Sequence, residues 1–92
     1  MSGRPYRTRV GDHFSEGARL LWTRMARDGM TREQLCTRIG CARGSLVRWM
    51  YGDRLPARAE ATKIAAALGI PVSAWDRKPS RPFSISALHA AA

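Results

Sequence analysis

Residues 31–52, TREQLCTRIGCARGSLVRWMYG, constrain the fold more than any other stretch of the chain. Thr31 and Gln34 have the spacing of a capping box. The Thr hydroxyl takes the backbone N–H three residues on, and the Gln side chain reaches back to the Thr N–H. Met30, before the cap, and Leu35 have the positions of the accompanying hydrophobic staple. Leu35, Cys36 and Ile39 then repeat with helical period. Gly40 stands where a helix end calls for a left-handed residue. The pattern predicts a second helix over 42–51, closed by Gly52. Leu46, Trp49 and Met50 share one of its faces; Gly44, Arg48 and Tyr51, at i, i+4 and i+7, share the other.

The rest of the chain supplies a core for this helix pair. A first helix is expected after Ser15, with Glu16 in the first turn, where an acid suits the helix dipole. Its core stripe is Ala18, Leu21, Trp22 and Met25, with Arg19, Arg24 and Arg27 facing solvent and Gly29 as the stop. Pro56 is pre-organised for entry into a fourth helix carrying Ala61, Ile64, Ala65 and Leu68 and ending at Gly69. Pro71 breaks the chain, and Ser73 is in position to cap a short fifth helix bearing Trp75. The expected fold is all-α, a compact bundle of five short helices over residues 14–76. Residues 1–13 read as a flexible basic arm, with Arg4, Arg7 and Arg9 spaced among Pro5, Tyr6 and Thr8. Residues 77–92 read as an irregular tail in which Phe83, Ile85 and Leu88 are apolar enough to dock. The alternation in FSISAL also fits a short strand pairing across a dimer, and the tail is a candidate dimerisation or partner-binding segment.

Composition narrows the function. A net charge of +9 and a pI near 11.3 call for an anionic partner, nucleic acid first. Fourteen of the sixteen cationic side chains are Arg, whose planar fork matches phosphate and guanine better than Lys does. With only seven acids, scattered singly, and no Ser–His–Asp or Cys–His set at a plausible spacing, the chain is not expected to be an enzyme. Cys36 and Cys41 sit on apolar positions, with His13 and His89 far off in sequence. They are read as core-filling thiols of a reducing cytoplasm, so no metal and no cofactor is expected. No apolar run reaches membrane-spanning length, and MSGRPYRTRV lacks the apolar core of a signal peptide.

Two short helices joined at a glycine form the helix-turn-helix layout, whose second helix lies in the DNA major groove. The ordered set GMTREQL, GSLVRWMYG, the spacing from Gly52 to Pro56, and KIAAALGI resembles the lambda Cro and phage-repressor helix-turn-helix family of bacterial and phage regulators. The likeness covers residues 17–76. It implies a lambda-repressor-like bundle that binds duplex DNA through residues 42–51. By that resemblance Arg43, Gly44 and Arg48 are the base-contacting positions. Thr31, Arg32, Ser45, Tyr51, Arg54 and Arg58 contact the DNA backbone, and the arm adds Arg4, Arg7 and Arg9. The implied role is a sequence-specific transcriptional regulator, most often a repressor, acting as a homodimer on a palindromic operator. The alternative is a protein-interaction adaptor, or an antitoxin-type regulator whose tail binds a partner protein. Ala42 and Gly44 depart from the polar residues the family often has at those places. Met25 and Met50 stand where many members carry a buried Arg–Glu pair, so both thioethers are expected in the core.

Overall fold

The apolar stripes become the inner faces of four α-helices: α1 (Glu16–Asp28), α2 (Arg32–Ile39), α3 (Arg43–Tyr51) and α4 (Arg58–Leu68). The computed structural model describes residues 10–83. Arg4, Arg7, Arg9 and the tail from residue 84 onward, including Ile85 and Leu88, lie outside the described residues. No strand occurs among the described residues, and none of the helices is long and apolar enough to cross a membrane.

Local chemistry sets the helix ends. Ser15 caps α1, its hydroxyl accepting the Ala18 N–H at 3.4 Å. The capping box of α2 forms in both directions, Gln34 N–H to Thr31 Oγ1 at 3.1 Å and Thr31 N–H to Gln34 Oε1 at 2.8 Å. The start of α4 is set by Glu60, which accepts the Ala57 N–H at 2.7 Å, and Pro56 lies two residues outside the helix. The fifth element is a 3₁₀ helix, Val72–Asp76, rather than an α-helix. Pro71 precedes it as the cap, and Ser73 lies exposed inside it. Its tight turn, with Ala74 N–H on Pro71 C=O at 3.0 Å, places Ala74 and Trp75 together in the core. Trp75 packs flat against α1 because residue 17 is glycine: a Cβ there would lie 2.3 Å from the indole.

One core joins all five elements, built on Leu21, Trp22, Leu35, Leu46, Trp49, Met50, Ile64 and Ile70. Met50 is fully buried, whereas Met25 is only half-buried at the core edge. Cys36 and Cys41 likewise sit half-buried at the edge rather than inside. Burial pushes the Cys41 thiol up to about 11, with Cys36 beside it adding to the effect, so it stays protonated at neutral pH. Tyr51, expected on the exposed face of α3, is turned inward and meets the Trp22 ring edge-on with centroids 5.5 Å apart. At the last position of α3 the ring finds the α1 surface within reach, and the aromatic contact outweighs the face pattern.

Both ends of the described segment fold back on the helices. Gly11 N–H donates to Tyr51 C=O at 2.7 Å and His13 N–H to Gly52 C=O at 2.9 Å, so the base of the arm is tied to the end of α3. Residues 77–83 cross the start of α1, and Phe83 lies 4.6 Å from Phe14, ring centroid to centroid. Arg19 does not face solvent as its helical position suggests. Its Nε and Nη2 grip the two oxygens of Glu16 at 2.7 and 2.6 Å, and Ser80 adds its N–H at 2.8 Å and its hydroxyl at 3.0 Å. The Arg19 guanidinium, opposed by burial and helped by Ser80, holds the Glu16 carboxyl at about 2 instead of its ordinary 4.5. Because the folded value is depressed, this stabilisation is present in full above pH 4.5 and is lost as pH falls toward 2. Glu16→Gln should therefore cost about 1–3 kcal/mol at pH 7, with the gap to wild type closing below pH 4.5 in urea melts run across the acid range.

Candidate nucleic-acid interface

The backbone fixes α3 before any outward side chain is considered. Leu46, Trp49 and Met50 are no more than 1 % exposed and bind its inner face to the core. The Trp22 indole N–H, reaching from α1, donates to the Met50 carbonyl at 2.6 Å. Gly52 closes the helix at φ 72°, and a Cβ there would also meet the Phe14 backbone at 2.5 Å. Residue 52 must therefore be glycine for the base of the arm to lie where it does.

Arg43, Gly44 and Arg48 occupy the outer face and are exposed; Ser45 is half-buried beside them. Arg43 opens α3 and reaches Glu33 on α2, Nη1 to Oε1 at 3.4 Å. Arg48 lies one turn further along and has no ion-pair partner among the described residues. Its carbonyl accepts the Asp53 N–H at 2.9 Å. Arg32, the first residue of α2, lies along the protein surface with Nη2 3.4 Å from the Tyr51 hydroxyl and its Nε buried. Arg32 and Tyr51 are thus brought together, with the Tyr ring inside and its hydroxyl shared. Thr31 is exposed, but its hydroxyl and N–H are engaged in the capping box. Arg54, in the loop after α3, lies 4.0 Å from Glu60, and Arg58 opens α4 exposed. The acids Glu33 and Glu60, which steer two of these cations, were not apparent as partners in the sequence. Their signal is positional, each lying in the first turn of a helix that borders the loop or helix carrying its Arg.

The two departures at the start of α3 have structural consequences. Ala42 makes no side-chain cap bond, so the first N–H groups of α3 have no side-chain acceptor there. Gly44 has a helical backbone, and a Cβ added there meets nothing within 4 Å. Nothing within the protein requires glycine at this position. Among the described residues, no group of three or more His, Cys, Asp or Glu is placed to hold a metal ion.

A family model described as helix-turn-helix, of the Cro/C1 type, matches residues 24–75. The matched span runs from the last turns of α1 through Trp75 and so contains the whole α2–α3 pair and α4. No characterised protein and no solved structure matches the chain at a significant level.

Gly44→Ala should leave the fold intact and stabilise it by about 0.5–1 kcal/mol through helix propensity alone. Thermal melts should show Tm rising by a few degrees. Unchanged DNA affinity in the same variant would show that no ligand atom approaches residue 44 closely; a loss would mark it as a point of close approach.

Proposed function

Since the chain belongs to the Cro/C1-type helix-turn-helix family of DNA-binding transcriptional regulators, we propose that it is a sequence-specific repressor that inserts α3 in the major groove of duplex DNA. The observation that carries this reading is the two-sided character of α3. Its inner face is locked to the core, and its outer face offers Arg43 and Arg48 on either side of a glycine. Arg bonds bidentately to O6 and N7 of guanine, so each of the two reads one G in the half-site. Gly44 reads no base through a side chain and lets the helix backbone come close. Thr31, Arg32, Ser45, Tyr51, Arg54 and Arg58 hold the phosphates on both flanks, which sets register without reading sequence. Tyr51 does so through Arg32, whose guanidinium its hydroxyl braces.

A helix of nine residues is roughly 13 Å long and reads only a few base pairs. The working unit is therefore a homodimer on a palindromic operator, with half-sites about one helical turn apart. The arm begins at the end of α3, because Gly11 is bonded to Tyr51. In this reading Arg4, Arg7 and Arg9 of the arm add contacts to the DNA backbone or an adjacent groove. An adaptor would need apolar side chains on the outer face of α3, where this chain has two guanidinium groups. A partner protein binding the tail, as in an antitoxin, remains compatible with DNA reading and would regulate it.

The test is selection of a preferred site from randomised duplexes, followed by titration of single-base variants at fixed salt. Arg48→Ala should cost about 1–3 kcal/mol on the selected site and relax preference at one base pair, and Arg43→Ala should do the same at another. Arg54→Ala and Arg58→Ala should weaken all sites nearly evenly. A protein that selects no site, or whose Arg43 and Arg48 variants lose affinity evenly at every site, does not read bases with α3.

A further inference from the structure

Glu33 stands apart from the other acids that pair with Arg. Its side chain is 72 % exposed, it lies on the surface proposed to face DNA, and it contacts the first residue of α3. An ion pair this exposed adds little to fold stability. A carboxylate on a DNA-facing surface also repels phosphates and lowers overall affinity. Its place in the first turn of α2 suits the helix dipole, but the dipole is served without any reach toward Arg43, and Asp would serve it equally.

We propose that Glu33 is a positioning residue for base recognition, orienting the Arg43 guanidinium across the α2–α3 turn so that Arg43 accepts guanine and resists phosphate. This rests on Arg43 reading a base. Arg43 needs such a restraint. The N-cap before it makes no side-chain bond, and the residue after it is glycine with open space around it. A long side chain in that setting has many rotamers open to it, and the strongest attraction within reach of a DNA-bound Arg is the phosphate backbone. The carboxylate 3.4 Å from Nη1 occupies one edge of the fork and leaves the remaining N–H groups for O6 and N7. It also disfavours a swing of Arg43 toward a phosphate, which would leave Glu33 unpaired beside an anion. Glu33 therefore trades affinity for discrimination.

The experiment compares full-length wild type, Glu33→Gln, Glu33→Asp and Arg43→Ala on a selected duplex, its single-base variants and a random-sequence duplex. Glu33→Gln should bind the random duplex at least as tightly as wild type. Its preference for the Arg43-dependent guanine should fall about three- to tenfold, with other base preferences unchanged. Glu33→Asp, too short to hold the same contact, should lose preference at that guanine while keeping the wild-type melting temperature. Placing Glu33→Gln in the Arg43→Ala background should change that preference no further. If Glu33→Gln raises affinity evenly and leaves the guanine preference as in wild type, the acid is only a dipole partner and the proposal fails. If Arg43→Ala itself leaves every base preference intact, the fault lies in the base-reading role of Arg43, and that result is distinct from the first.

Discussion

The C-terminal end of α3 is where the structure is most firmly determined. A helix leaves its last four carbonyls without internal partners, and each must be met. Here all four are. The carbonyls of Arg48 and Trp49 accept the Gly52 N–H, and Arg48 also takes Asp53. The carbonyl of Met50 takes the Trp22 indole from α1, and that of Tyr51 takes the Gly11 N–H from the base of the arm. Three separate parts of the chain thus converge on one helix end. The opposite end of α3, which carries Arg43, has no side-chain cap. The helix is anchored at its tail and lightly held at its tip. That asymmetry suits an element whose tip must adjust to a surface while its axis stays fixed.

Charge is distributed by the same logic. Glu16 holds Arg19, Asp28 holds Arg27, Glu33 holds Arg43 and Glu60 reaches toward Arg54. Only the first of these is well shielded from solvent, and there the Arg19 guanidinium holds the Glu16 carboxyl well below its ordinary range. This pair fixes architecture, joining α1 to residues 77–80. The exposed pairs contribute little to stability. With sixteen cationic side chains against seven acids, local pairing cannot neutralise the surface. The surplus on α3, α2 and the start of α4 remains available for a polyanion.

Most of the fold was legible because its signals are local. The Thr31–Gln34 box, the glycines that end the helices and the stripes of Leu21, Trp22, Leu46 and Trp49 all act within a few residues, and the structure follows them. Three of the misreadings share one cause, a long-range contact that periodicity does not encode. Tyr51 turns inward because Trp22 is there to meet it; Arg19 leaves solvent because Ser80 returns from the tail; the fifth helix tightens to 3₁₀ as Ala74 and Trp75 both seek the core. In the candidate site, the motif singles out the cations, and the structure leaves Arg43, Arg48, Arg54 and Arg58 exposed. The acids of the site were not legible, because Glu33 and Glu60 become partners of Arg43 and Arg54 only once α2, α3 and α4 are packed.

The two ends of the described segment both pack against the end of α3 or its neighbours. Phe83 stacks at a tilt on Phe14 and lies 6.3 Å from the Trp22 ring, and Trp22 is the residue that holds the Met50 carbonyl. Phe14 in turn lies directly against Gly52, with room only because that residue has no side chain. Phe83, the last described residue, is therefore linked through Phe14 and Trp22 to the final turn of α3. The base of the arm is part of the same cluster through Gly11 and His13. Both ends of the described segment are thus joined to the final turn of α3, the tail side through packed aromatic rings and the arm side through two backbone hydrogen bonds.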